Sequence, residues 1–230
     1  MLDLARFQWI SFDCYGTLVD WESGILNYLR PLLQEKNRNV SDAEILSLYS
    51  EIEPREQTGQ YRPYREVLAS VVRGFARELK FDITASQATG LAESIRDWQP
   101  FADATSGLKR LQARYKLAIL SNIDDDLFAH SAVKLQLSFD CVVTAQQLGS
   151  YKPSLDNFKA LLQRLGIGRA GLLHAAESLY HDVSPAGSLG IATVWVNRRQ
   201  GKPAAATKTA VAQPDLEVST IAELAQLTGC

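Results

Sequence analysis

Four short apolar runs, YKLAILSN, FDCVVTA, LLHAA and IATVWVN, recur between residues 115 and 197 with helix-sized amphipathic stretches between them. Runs this apolar, without alternation, belong to strands buried on both faces, and strands joined through helices lie parallel. Helices are expected near 103 to 114, with Ala104, Leu108 and Leu111 on the inner face, and near 125 to 136. A third is expected near 154 to 165, carrying Leu155, Phe158, Leu161, Leu162 and Leu165 and stopped by Gly166. The pattern predicts an α/β fold built on a doubly wound parallel sheet.

A fifth strand-like run, Trp9 to Phe12, stands apart, because the sequence from about residue 23 to 97 has a helical period throughout. Ile25, Leu26, Leu29, Leu32 and Leu33 make one stripe, and Leu68, Val71, Val72, Phe75 and Leu79 another. Residues 1–20 and 100–230 therefore read as one α/β core domain, and 21–99 as a helical cap domain inserted after the first strand. The stretch 201–214, GKPAAATKTAVAQP, has few large apolar residues and reads as a mobile loop or an extended crossing to the final helix.

Composition narrows the function. The 230 residues carry 24 basic and 26 acidic side chains, a formal charge of -2, with no long run of either sign, so no nucleic-acid partner is expected. No segment approaches about 18 uninterrupted apolar residues, and the acid-containing N-terminus does not resemble an export signal, so neither membrane insertion nor export is expected. Cys14, Cys141 and Cys230 are odd in number and lack metal-ligand or redox spacing, which fits a reducing, cytoplasmic setting.

Ligands of open parallel sheets bind beyond the carboxyl ends of the strands. That rule collects Asp13, Ser121, Asn122, Lys152 and Asp182. Asp13 ends an apolar strand and is followed by Gly16, whose freedom at positive φ allows a tight turn, and by Thr17. Two acids, a lysine and two small hydrogen-bonding residues under a cap suit hydrolysis. Each also has a plainer role available: Asp13 as a loop acid, Lys152 as a solvated lysine before proline, Ser121 and Asn122 as caps of the helix near Asp124, Asp182 at a helix start. Cys14 next to Asp13 on a strand points to the opposite side and is not expected to act as the nucleophile. His130 and His174 carry no site signal.

The segments FDCYGTLVD, LSN at 120 to 122, YKP at 151 to 153 and SLYHDVSPAGSLG occur in an order that resembles the haloacid dehalogenase superfamily, with its Rossmann-like core, and within it the type II (S)-2-haloacid dehalogenases. In the phosphatase branches the residue two after the nucleophile is usually a second aspartate. Here it is Tyr15, as in the dehalogenases. Tyr15, Phe158, Glu177, Ser178 and His181 are expected around a small carboxylate substrate, and the resemblance implies Asp13 as nucleophile, Thr17 as its neighbour in the turn, Lys152 as its charge partner, Asp182 in the hydrolytic half-reaction, and Ser121 and Asn122 as substrate-binding hydrogen-bonders. It implies no metal and no cofactor, and a homodimer. Glu177 and Leu179 depart from the serine and asparagine of the dehalogenases at those places, and the early cap arginine of that family falls nearest Ser50, with Arg55 the closest candidate.

The resemblance thus implies displacement of a leaving group from C2 of a small carboxylate through an aspartyl ester, yielding a 2-hydroxy acid. FDCYGTL and AESLYHD are also similar to the versions in the L-azetidine-2-carboxylate hydrolases, which open a strained ring amine at the same carbon, and there His181 is a candidate proton donor. A magnesium-dependent phosphatase using Asp13, Glu177 and Asp182, and a catalytically silent binding protein, complete the alternatives.

Overall fold

The computed structural model describes residues 2–200, 206–207 and 210–230. Six strands form one sheet: β1 (Trp9–Phe12), β2 (Lys116–Ser121), β3 (Cys141–Thr144), β4 (Leu172–Ala176), β5 (Ala192–Val196) and β6 (Leu216–Val218). Their order is β3-β2-β1-β4-β5-β6, and every pairing is parallel. The period of two along each strand divides the core. Ile10, Phe12, Leu117, Ile119 and Leu173 pack on one face, and Trp9, Ala118, Leu120, Leu172 and Phe158 on the other. The chain winds one way from β1 through β2 to β3, then crosses back to β4 and winds the other way. The switch point therefore lies between β1 and β4, where such sheets open a crevice beyond their carboxyl ends.

The edge strand β6 was not foreseen, because three residues beyond Pro214 are too few to show a period. Its place is set instead by Asp215, whose carboxylate accepts the Thr193 amide at 2.8 Å. The expected crossing at 201–214 lies partly outside the described residues. Of its described residues, Ala206 is buried, and its amide donates to Glu22 Oε1 at 2.9 Å.

Four helices separate β1 from β2: α1 (Trp21–Glu35), α2 (Asp42–Glu56), α3 (Tyr64–Glu78) and α4 (Ala85–Ser94). Their starts follow from local chemistry. Asp20 caps α1 by accepting the Ser23 amide, and the pairs Ser41 with Glu44 and Thr84 with Gln87 form reciprocal capping boxes on α2 and α4. The first residue of α3 follows Pro63, and the cap comes from elsewhere: the buried Asp124 carboxylate, at the end of the β2 turn, accepts the Tyr64 amide at 2.7 Å and the Arg65 amide at 2.9 Å. One long-range side chain thus ties this helical segment to the sheet. The two predicted stripes are its interior, with Ile25, Leu29, Leu68, Val71, Val72 and Phe75 fully buried. Truncating one of these, as in Leu68→Ala, costs about 2–5 kcal/mol.

The remaining helices are α5 (Ala104–Gln112), α6 (Asp125–Leu135), α7 (Ala145–Leu148), α8 (Leu155–Leu165), α9 (Ser184–Ser188) and α10 (Ile221–Leu227), with α8 ended by Gly166 at φ 65°. No helix among the described residues is long and apolar enough to cross a membrane. The three cysteines are free, and Cys14 is buried in the core.

Candidate active site

Asp13 follows directly on β1, and its amide still bonds to Ala175 O of β4 at 3.2 Å. The chain then reverses within a few residues, closed by Leu18 and Val19 amides on Cys14 O at 2.8 and 3.0 Å. Gly16 sits at φ 94°, and a Cβ there would stand 2.9 Å from Trp21 Nε1, so both backbone conformation and space demand glycine. Thr17 is fully buried. Its hydroxyl donates to Asp13 Oδ2 at 3.1 Å and accepts the Glu177 amide at 2.9 Å, joining the turns after β1 and β4 across the switch point.

Lys152 reaches the same point from the loop before α8 and is 1% exposed. Its ammonium donates to Asp13 Oδ1 at 2.9 Å, Asp182 Oδ1 at 2.6 Å and Leu120 O at 2.9 Å, using all three protons. Asn122 fixes the lysine's backbone by accepting from Lys152 N at 2.7 Å and donating to Lys152 O at 3.0 Å. Burial works against the lysine's charge, but Asp13 and Asp182 outweigh it and hold its pKa above the ordinary value.

Asp182 is delivered by a π-helical turn, Leu179–Val183, whose start is capped by Ser178 Oγ accepting the His181 amide at 2.9 Å. Asp182 Oδ1 also meets His174 Nε2 at 3.0 Å, and His174 Nδ1 meets Ser11 Oγ at 2.8 Å. His174 is thus a missed residue of the site. Its signal was present, a polar side chain inside the apolar run LLHAA. The two carboxyls are not equivalent. Burial pushes Asp13 above the usual carboxylate range, and Lys152 only partly opposes it. Burial also works upward on Asp182, but Lys152 and His174 together hold it below that range. Asp13 is therefore the more basic of the two carboxylates, and Asp182 the group more firmly held as an anion.

Asp13, Ser121, Lys152 and Asp182 form the floor of a cavity of about 40 Å³, and Trp21, Glu53, Tyr64 and Trp98 from the helical segment form its roof. At roughly 10–15 Å³ for one water on this measure, such a space suits a ligand of few heavy atoms. Two buried floor atoms, Ser121 Oγ and Asp182 Oδ2, have no hydrogen-bond partner among the described residues. Such groups are costly in a folded chain, and both belong to residues that line the cavity.

Tyr15, Asn122, Ser178 and His181 also line the cavity. Tyr15 is held by Ser131 Oγ at 2.9 Å and stands edge-on to Trp98. Thr17 touches Asp13 and not the cavity, because its hydroxyl is consumed between the two turns. Phe158 is no pocket residue: α8 turns it into the core, fully buried edge-on to His174 with ring centroids 5.3 Å apart. Glu177 lies behind the Gly16 turn outside the cavity wall, its carboxyl pushed up to about 7 by burial and by Glu22 and Asp13, with Arg199 opposing. Arg55 is on the outer surface beside Glu51, and Ser50 is spent on Ser47 O, so neither reaches the cavity. Glu53, Tyr64 and Trp98 carried no signal, because an acid and two aromatics on amphipathic helices look like ordinary surface and core.

The donor set does not fit a hard divalent cation. The Lys152 ammonium stands between Asp13 and Asp182, Tyr15 replaces the second acid of the turn, and no group of three or more His, Cys, Asp or Glu among the described residues is disposed to hold a metal ion.

The fold is thus a doubly wound sheet with a buried Asp–Lys–Asp floor at its switch point. The chain belongs to the haloacid dehalogenase-like hydrolases, whose family model matches residues 10–196. It is 26% identical over 202 residues to haloacetate dehalogenase H-2 of Moraxella sp. (strain B), covering 85% of this chain and 88% of that protein. It is 26% identical over 223 residues to the (S)-2-haloacid dehalogenase of Pseudomonas sp. (strain YL), covering 95% and 93%. The crystal structure of the defluorinating L-2-haloacid dehalogenase Rha0230 shares the fold, with a TM-score of 0.82 at 20% identity over 97% of this chain and 96% of that one.

Proposed function

We propose that this hydrolase displaces a leaving group from C2 of a small carboxylate through an ester on Asp13, giving a 2-hydroxy acid, with residues 21–99 acting as a cap. The observation that carries this is the floor itself: a carboxylate oriented through both oxygens by Lys152 and Thr17, facing a cavity of a few heavy atoms. Relatives named for haloacetate and 2-haloacids support the size and charge of the substrate.

The geometry translates into steps. A carboxylate is a weak nucleophile in water, so most of the rate must come from dehydrating and aiming it, and the roof and the Lys152–Thr17 clamp supply these. Ser121 Oγ donates to the substrate carboxylate. Attack by an Asp13 oxygen on C2, in line with the departing group, forms the ester and inverts the centre. Water held by Asp182 Oδ2 then adds to the Asp13 carbonyl carbon, and Lys152 stabilises the oxyanion that develops there. Collapse of the intermediate releases the hydroxy acid and restores Asp13.

Isotope tracing in oxygen-18 water tests this. In a single turnover with excess enzyme the product should be unlabelled while the peptide containing Asp13 gains label. Label in the first product and none in that peptide would mean that water attacks C2 directly, leaving Asp13 as a general base.

A further inference from the structure

We infer that Trp98 sets the length limit of the substrate, so that acids with a short chain at C2 are accepted and longer ones excluded, and that Gly24 places that limit; this rests on the displacement at C2 proposed above. Trp98 is 4% exposed, yet it borders two spaces. On one side it belongs to the roof of the cavity of about 40 Å³ over Asp13. On the other it borders a second space of about 390 Å³, lined also by Asp20, Ser23, Gly24, Asn27 and Gln99. The indole is the partition between them: Tyr15 of the inner space meets it edge-on with ring centroids 5.8 Å apart, and Gly24 of the outer space lies against it.

The partition is fixed in three ways. Trp98 Nε1 donates to Ser94 Oγ at 3.1 Å, which sets the rotation of the ring. The backbone just after Trp98 is bonded to the chain just after the Asp13 turn, with Gln99 O accepting the Asp20 amide and Leu18 O accepting the Phe101 amide, both at 2.9 Å. Wall and nucleophile therefore share one backbone frame. A Cβ on Gly24 would stand 2.5 Å from each of the indole atoms Cγ, Cδ2 and Cε2, and a point at that equal distance from three contiguous atoms of one ring lies over the ring's face. The indole thus rests flat on the bare backbone of α1. Glycine is the poorest helix former after proline, and this close approach is the physical reason for its place within α1. Any side chain at position 24 displaces the wall.

A wall of this kind discriminates by length and not by charge. Packed interiors yield little to added volume, so a methylene too many in a closed apolar space is worth roughly tenfold or more in discrimination. Where the wall has a second space behind it, shortening the one side chain that divides them joins the two. Trp98 is such a side chain, and its reduction should turn a selective site into a tolerant one while the Asp13, Lys152 and Asp182 floor keeps its own bonds.

Calorimetric binding of (S)-2-chloropropanoate and (S)-2-chlorohexanoate to the Asp13→Asn protein tests this without turnover. The shorter acid should bind about tenfold or more tightly. Trp98→Leu in that background should remove the preference, and Trp98→Phe, which tests the wall even if the leucine variant does not fold, should narrow it. Gly24→Ala displaces the indole, so it should weaken binding of the shorter acid about tenfold, and in combination with Trp98→Leu it should add no further loss because the displaced ring is absent. Equal affinities for the two acids in the Asp13→Asn protein, or a preference that both Trp98 variants retain in full, overturn the inference. Additive losses from Gly24→Ala and Trp98→Leu overturn the part assigned to Gly24. In each of these cases the C2 displacement still stands if the Asp13-containing enzyme forms 2-hydroxy acid from either substrate. Binding of neither acid, with no hydroxy acid from either, would overturn both.

Discussion

The floor and the roof of the cavity are built on opposite plans. Every polar group of the floor that holds another in place is cross-bonded: Lys152 to two carboxylates and a carbonyl, Asn122 to both backbone groups of Lys152, His174 to Asp182 and Ser11. The roof has aromatic faces and one acid, held to Tyr64 and Gln57 by neutral hydrogen bonds. A rigid charged network suits a fixed bond-making event, because preorganised charge costs no rearrangement in the transition state. A roof of broad faces and a single charge suits selection among ligands. On the function proposed above, chemistry falls to the floor and specificity to the roof, so substitutions in the two should separate kcat from KM.

The largest break expected on the floor is Asp13→Asn, which keeps shape but removes the attacking oxygen's charge and should abolish turnover while the fold, checked by circular dichroism, persists. Next comes Lys152→Ala. It should lower kcat/KM roughly a hundredfold or more, about 3 kcal/mol of transition-state stabilisation, and the uncompensated Asp13 and Asp182 should also lower the melting temperature. An unchanged rate would remove Lys152 from the mechanism.

His174→Gln sharpens the comparison. His174 helps to hold Asp182 below the carboxylate range, so its loss raises that pKa, and activity that needs ionised Asp182 should then fail at higher pH on the acid side. The expected signature is a shifted acid limb with a loss of kcat on the order of tenfold and little change in KM. A uniform loss at all pH values would make His174 purely structural.

The smallest effect lies in the roof and concerns stability. Glu53 has a folded pKa of about 7 against 4.5 for an ordinary glutamate, so the folded state binds its proton more tightly. The stability this confers is complete below about pH 4.5 and is lost as pH rises through about 7. Glu53→Gln removes the dependence, so thermal melts should show the variant gaining on the wild type between about pH 5 and pH 8. A constant difference across that range would mean that Glu53 is not buried as an acid in solution.

The legibility of the molecule follows the same division. Five of the six strands, the helical stretch after β1 and the helix stopped by Gly166 could be read because burial on both faces or on one stripe imposes a period on consecutive residues. Asp13, Lys152 and Asp182 could be read because a parallel sheet delivers strand exits to one edge, so position in the chain predicts position in space. The three-residue strand β6 left no period to find. Phe158 was misplaced because helical spacing gives the buried stripe of α8 but not which neighbour it meets. His174 shows the boundary most sharply: its oddity inside an apolar strand was visible, but its partner Asp182 lies on a turn whose π-helical path no local signal announces.

The linear chain by itself determined the layered α/β architecture, the turn at Gly16 and the set of strand-end groups, because each rests on backbone sterics or on a hydrophobic period spanning a few neighbouring residues. Only the tertiary structure decided which of those groups share an ammonium, that Glu53 rather than Arg55 reaches the cavity, and that Asp124 holds α3 over the sheet. These depend on contacts between residues far apart in sequence, where a small rotation of a helix exchanges one side chain for another while the hydrophobic pattern stays the same.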